Sequence, residues 1–471
     1  MKGFGERHQP PKKKNSTNDE TTTRKKIINR AFECHSLGKI REAKKYYENF
    51  INQGFLDHRV FVNYGMILNN LGELQEAEIY IRKAIELNPN YAIAHSNLGG
   101  ILKHVGELQE AEICTRKAIE LQPNYSKLHL NLGLILQDVG KLKEAELAIC
   151  KAIELNHNYA DAYSDLRNIL QNLGKLEKLI QISRSIIESK SFDIGYKLQA
   201  LLSICITNLL LNNFSETYLN INKIDELINK GALNMIQDKR IRKHTFIFSR
   251  FISCLYPLLE KNNKNINFEK IPHFGESHCL SFTHQIVSVS SKLKQIQPVL
   301  IKGAKAWHFA KDEMNKWKDS LNQQIKSHTY SDTVFISFGE IDCRKDEGIL
   351  SFILKNSKCI SEVCNDTINR FLNYMEITLS PNYSKRYYFG VPAPSIKTKT
   401  PDELDIKRIK IIKIYNSLLK EKVLSKGSYF IDVYELTSTI DGLNNNIHMC
   451  DKTHLSPKCL SILFENHLYR R

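Results

Sequence analysis

The sequence predicts a multidomain chain: an all-α array of repeated helix pairs, followed by a three-layer α/β domain with a parallel sheet covered by helices. Three observations carry this. A 34-residue period runs through residues 24–193. From about residue 268, short apolar runs alternate with amphipathic segments. In that later part the polar motifs follow predicted strands, and ligand sites of such sheets lie beyond the carboxyl ends of the strands.

The period is exposed by three near-copies: NNLGELQEAEIYIRKAIELNPNY (69–91), KHVGELQEAEICTRKAIELQPNY (103–125) and QDVGKLKEAELAICKAIELNHNY (137–159). Gly38, Gly72, Gly106, Gly140 and Gly174 share the spacing. Small Gly99 and Ala111 let two helices approach, Gly106 closes the turn between them, and Pro89 and Pro123 stop the second helix. One hairpin cannot bury its apolar face alone, so neighbours must stack. The pattern resembles the tetratricopeptide repeat, a helix–turn–helix unit of this period. Five repeats are read, at about 24–57, 58–91, 92–125, 126–159 and 160–193. The pattern degenerates towards its end: His157 replaces Pro, and Leu179 replaces the small Ala.

One column of the repeat bears on function. Asn29, Asn63, Asn97, Asn131 and Asp165 occupy the same repeat position. The column resembles the asparagine ladder of the O-linked N-acetylglucosamine transferase superhelix, which implies that Asn63, Asn97 and Asn131 hold an extended peptide by its backbone. An amide side chain can donate and accept at once, which suits that task. The same amide can equally bond the neighbouring repeat. Residues 194–266 keep helical periodicity without the repeat signature and are read as helices capping the array, with NNKNIN (262–267) as linker.

The formal charge of +16 invites a nucleic-acid reading, but residues 1–30 hold nine Lys/Arg against three acids, which accounts for +6 of it. Residues 1–23 read as a basic disordered tail. With no basic helix and no known motif, no nucleic-acid partner is expected. The longest apolar run, ALLSICITNLLL (200–211), is too short to span a bilayer. The start, MKGFGERHQPPKKKNS, has no signal-peptide core. Eleven Cys without CxxC pairs fit reduced thiols, so a cytoplasmic location is expected.

Predicted strands in the α/β domain, residues 267–471, are 271–275, 298–303, 333–339, 386–392 and 428–434. Amphipathic segments lie near 279–294, 307–326, 354–376, 401–423 and 456–469. The motifs are Gly275-Glu276-Ser277-His278, Gly303, Gly339-Glu340-Ile341-Asp342-Cys343-Arg344 and Asp451-Lys452-Thr453-His454. A serine hydroxyl needs an adjacent base to act as a nucleophile. His454 can supply it, and Asp451, three residues earlier, can fix its tautomer if the loop curls back. Cys279, Cys343 and Cys450, with His278 and His448, border the same motifs, but their spacing matches no standard zinc pattern. No metal or other cofactor is expected.

These motifs resemble the SGNH (GDSL-like) hydrolase family over residues 267–471. The resemblance implies a flavodoxin-like sheet and a serine esterase or O-acyl hydrolase, with Ser277, His454 and Asp451 as its triad. It also implies oxyanion donors at the backbone of Ser277 and Gly303, with Gly339 and Asp342 lining the site. Glu276 stands for the usual Asp, read as a mild change. Ile341 stands where the family has an Asn donor, and Arg344 is the nearest replacement. The expected substrate is a small ester or acylated glycan, a carbohydrate O-acetyl ester among them, with a protein or peptide partner in the repeats. The alternative is a protein-interaction scaffold whose hydrolase-like domain is weak or inactive.

Overall fold

The computed structural model describes residues 16–260, 268–345, 348–396, 398 and 400–470. The expected linker at 262–267 and most of the expected tail lie outside them. Up to Glu260 the described chain is helical apart from short connections. A helix runs from Ser16 to Ser36, so residues 16–23 are not the disordered tail expected. STNDE has the composition of a helix start, and the basic residues after it do not break a helix.

By internal contacts the chain divides into two compact units, Met1–Ile135 and Leu136–Arg471. The first contains the paired helices Ser16–Ser36 and Ile40–Asn52, His58–Leu71 and Leu74–Leu87, and Ala92–Val105 and Leu108–Leu121. A Cβ at Gly99 would clash with the Thr115 side chain and lie 3.1 Å from the Ala111 carbonyl, so glycine permits the close crossing. Gly106 ends its helix at φ 95°, a left-handed cap that side chains resist.

The second unit places helices Leu142–Leu155, Ala160–Asn172, Leu176–Glu188, Ile194–Leu210, Phe214–Asn229 and Lys239–Glu260 with a seven-stranded mixed sheet. Its strands are β1 (Glu269–Gly275), β2 (Ile286–Val289), β3 (Lys292–Leu300), β4 (Thr333–Ser337), β5 (Lys385–Phe389), β6 (Tyr429–Ile431) and β7 (Leu468–Tyr469). The order is β2-β3-β1-β4-β5-β6-β7. The five inner strands are parallel, and both edges are antiparallel.

The sheet therefore departs from the wholly parallel one expected. The 279–294 segment is not a helix but a 3₁₀ turn, Ser277–Phe282, and then the hairpin β2–β3. Residues 287–289 alternate in burial: Val287 and Val289 are buried, while Ser288 between them is exposed. Ser290 and Ser291 turn the chain at φ 51° and 61°. The 307–326 segment breaks into Ala306–Ala310 and Lys316–Lys326, where Asn315 caps the second helix. The 354–376 segment divides between Gly348–Asn356 and Ile360–Leu379. The 456–469 segment ends in β7.

One face of the sheet buries Phe274, Ile336, Tyr388 and Phe430 against helices Ile360–Leu379 and Glu403–Ser425. The other buries Ile271, Phe335, Phe389 and Ile431. A third core joins Leu198, Leu209, Phe251 and Leu255 of the helical segment to Cys279, Leu280 and Leu300 beside β1 and β3. Residues 268–471 therefore do not bury all their apolar surface among themselves. A fragment beginning near Asn262 should aggregate or melt without a sharp transition, whereas residues 126–471 should be soluble and melt cooperatively. Cooperative melting of the shorter fragment at the same temperature would contradict the shared core.

Candidate active site

β1 lies inside the sheet, with β3 on one side and β4 on the other. Successive connections therefore leave it in opposite directions, and the crevice at its carboxyl end is a switch point. Gly275 ends the strand. A Cβ there would lie 2.9 Å from the Cys279 side chain and 3.1 Å from the Ser337 carbonyl, so only glycine fits between the strands. Ser277 follows at once, 6% exposed.

The last loop reaches the same point. His454 Nε2 is 2.9 Å from Ser277 Oγ, and Nδ1 is 2.8 Å from Asp451 Oδ2. The loop does curl back: Asp451 Oδ1 accepts from the backbone N–H groups of Thr453 and His454, each at 2.7 Å. Burial would push the Asp451 carboxyl up, but the His454 ring and these two amides outweigh it and hold the group at about 2. His454 is 3% exposed, and its ring stacks on Phe251 of helix Lys239–Glu260, with centroids 3.7 Å apart and planes 20° from parallel. Ser277, His454 and Asp451 thus form one hydrogen-bonded chain, and an aromatic ring from the helical segment fixes the plane of its middle member.

Glu276 is more than a mild change from Asp. Its Oε2 accepts from both the N–H and the Oγ–H of Ser277, each at 2.5 Å. Its Oε1 bonds His278 Nδ1. His278 Nε2 in turn donates to the Thr453 carbonyl at 3.1 Å. Both ring nitrogens of His278 face acceptors. Burial opposes its charge, but Glu276 overrides it and raises the imidazole to about 9. The same pairing, with Arg344 beyond, holds Glu276 well below the usual carboxylate range despite its burial.

The other expected residues have defined places. Arg344 does not stand as a free oxyanion donor, because its guanidinium grips Glu340 at 2.6–2.8 Å. Arg408 approaches Glu340 from helix Glu403–Ser425 at 3.5 Å. Asp342 is fully buried and accepts from the N–H groups of Ala306 and Trp307 at 2.7 and 3.0 Å. It thereby clamps the turn after β3, which carries Gly303. Burial pushes its carboxyl up to about 6, against those amides. Gly303 is exposed at φ 70°, with open space beside it. Gly339 packs against Tyr415, whose hydroxyl a Cβ would meet at 2.8 Å. Ile341 is buried. Glu276, His278 and Glu340 bring donor atoms within 4.8 Å of one another. Each is committed to another protein group, which makes the cluster an ion-pair network. Cys279 and Cys343 are buried, and burial holds their thiols high.

Asn63 donates to the Tyr47 hydroxyl at 3.2 Å, and Asn131 to Ser96 Oγ at 3.3 Å. Both bonds reach a neighbouring helix hairpin of the array. Asn97 is half-buried. Sequence reasoning missed Phe251, Glu340 and the role of His278. The Glu276–His278 pair was visible as two ionisable residues flanking the serine; Phe251 carried no signal outside the fold.

Residues 58–91, 80–113 and 114–147 match the tetratricopeptide repeat family. No curated protein matches the chain. Among solved structures, similar folds include YrrB, described as a TPR protein with an unusual peptide-binding site, at 22% identity. That match covers 42% of this chain and 96% of YrrB, with a TM-score of 0.34. MamA matches at 24% identity over 36% of this chain and 96% of its own, with a TM-score of 0.33. PilF of Pseudomonas aeruginosa matches at 17% over 44% and 92%, with a TM-score of 0.37. No helix among the described residues is long and apolar enough to cross a membrane.

The Asp451 carboxyl titrates lower in the folded chain, at about 2, than its ordinary 3.8. Its ionised form therefore stabilises the fold above pH 3.8, and that contribution disappears as pH falls through about 2. The stability difference between wild type and Asp451→Asn, from urea unfolding, should be largest near pH 5 and shrink towards pH 2. A difference independent of pH would mean that Asp451 is not ionised against His454.

Proposed function

We propose that residues 267–471 act as a serine hydrolase of SGNH type, cleaving or transferring O-acyl esters, and that the repeats bring it to a protein partner. Tetratricopeptide repeats support a protein-interaction role. The hydrolytic reading is supported by one observation, the Ser277–His454–Asp451 hydrogen-bonded chain at 2.9 and 2.8 Å.

In this reading Ser277 Oγ attacks the acyl carbonyl while its proton passes to His454 Nε2. Asp451 holds the Nδ1–H and stabilises the imidazolium. The tetrahedral adduct collapses as His454 returns the proton to the departing alcohol. Water, activated by the same ring, then releases the acyl group. The adduct's oxyanion would take the N–H groups of Ser277 and Gly303, and each such donor is typically worth ~2.7–4 kcal/mol. A carbohydrate O-acetyl ester is the substrate that the family resemblance favours.

The second reading is an interaction scaffold with a weak or inactive domain, and it fits the comparisons better. It is also favoured by Ile341 in the donor slot and by Glu276, which engages both the hydroxyl and the amide of Ser277.

A fluorophosphonate probe separates the two. Wild type should be labelled at Ser277 and turn over an activated acetyl ester. Ser277→Ala and His454→Ala should each lose most turnover, since triad members act as a unit, and Asp451→Asn somewhat less. No labelling and no turnover of aryl or sugar acetates would leave the scaffold.

The partner role is tested on the array. Asn63, Asn97 and Asn131 changed together to Ala should weaken capture of a bound peptide at least tenfold with helicity retained. Unchanged capture, or loss of the fold, would assign the column to stacking of the repeats.

A further inference from the structure

Two cysteines border the contact between Phe251 and His454, one on each partner element. Cys254 lies on helix Lys239–Glu260, three residues after Phe251, and residues three apart share a helix face. Phe251 stacks on His454 with ring centroids 3.7 Å apart. Cys450 lies in the loop, directly before Asp451, and its N–H donates to the His454 carbonyl at 2.8 Å. Its side chain packs against the core that Phe251, Leu255 and Leu259 of that helix help to build.

The pair has what a reversible disulfide needs. Both residues are free thiols, Cys254 exposed to a reagent and Cys450 half-buried. Burial, then Asp451, then the Cys254 sulfur push the Cys450 thiol up to about 12, so Cys254 is close enough to be felt there. We propose that Cys254 and Cys450 are a redox modification site, oxidised by a small disulfide to a bond that locks helix Lys239–Glu260 onto the loop of Asp451 and His454.

The step is thiol–disulfide exchange. The Cys254 thiolate attacks one sulfur of the small disulfide, and the other sulfur leaves and takes up a proton. Cys450 gives its proton to solvent and attacks the mixed disulfide at the Cys254 sulfur, expelling the second small thiol. Two protein thiols are oxidised, and one reagent disulfide is reduced to two thiols. Because Cys450 is so weakly acidic, its attack is the slow step, and closure should quicken as pH rises from about 7 to 9.

The lock bears on access to the serine. Ser277 is 6% exposed, His454 3%, and Phe251 is fully buried between helix and loop. An ester therefore reaches the hydroxyl only when the helix gives way, and a helix tied to the loop cannot. The bond stands on the geometry; its effect on turnover rests on the hydrolase reading.

Oxidised glutathione applied to the full chain tests the bond. Peptide mapping without reductant should find Cys254 joined to Cys450, dithiothreitol should open it, and the oxidised chain should melt above the reduced one. Cys254→Ser, which changes an exposed side chain, should melt like reduced wild type and not respond to the reagent. Cys254 stopping at the glutathione adduct, or joined to any other cysteine, overturns the proposal. So does a bond that leaves the melting temperature unchanged, since it would lock nothing. With 4-nitrophenyl acetate, oxidation should lower the kcat/KM of wild type about tenfold or more and leave that of Cys254→Ser unchanged. Equal turnover by both forms of wild type overturns the link to access. The disulfide without turnover in either form overturns the hydrolase reading and leaves the modification site standing.

Discussion

The buried pair Glu276–His278 holds the candidate site together. Glu276 fixes the turn after β1 by taking both polar groups of Ser277, while His278, charged by that carboxylate, reaches across to the Thr453 carbonyl. Thr453 belongs to the loop that carries Asp451 and His454. The two halves of the site, far apart in sequence, are thus tied by one imidazolium. Removing His278 would leave Glu276 a buried charge short of its main partner, a change that typically costs about 3–5 kcal/mol, whereas removing Glu276 would let the buried His278 shed its proton. Glu340, gripped by Arg344 and approached by Arg408, continues the network of opposite charges outward.

The sheet supplies the place and the helices supply the cover. β1 can carry the serine to a crevice because its neighbours leave on opposite sides, and Gly275 lets the turn pass close to β4. That crevice would be open on a bare sheet domain. Here the core shared by Leu280, Leu300 and the helices from Ile194 to Glu260 brings Phe251 onto His454. The helical segment therefore orients the His454 ring as well as completing the core.

What could be read from the sequence follows how local each signal is. The repeats were legible because one unit recurs, and the loop of Asp451 and His454 because the carboxylate caps its own backbone within three residues. Strands β1, β3, β4, β5 and β6 announced themselves as apolar runs. Strand β2 and its turn into β3 did not, because the alternation over residues 287–289 is too short to stand out against helical propensity. Arg344 was misplaced for a different reason: a side chain four residues after Glu340 in a tight turn finds that carboxylate before any ligand. Phe251 belongs to the non-local class, since only the packing of two cores brings it to the ring.

The Ser277 hydroxyl has one proton and two acceptors, His454 Nε2 and Glu276 Oε2. With Glu276 held strongly acidic by His278, the carboxylate is the better electrostatic partner, and a proton pointed there is not available to the base. The same Oε2 accepts from the Ser277 N–H, the group an oxyanion would need. On the hydrolase reading these two obstacles are one. A substrate carbonyl that takes the Ser277 N–H must displace Oε2, and once Oε2 has left, His454 Nε2 is the acceptor that remains for the hydroxyl. Binding the ester and aiming the nucleophile would then be a single exchange, with Oε1 still anchored on His278. Without an ester, on the same reading, the exchange would not occur, and Glu276 would hold the serine in check.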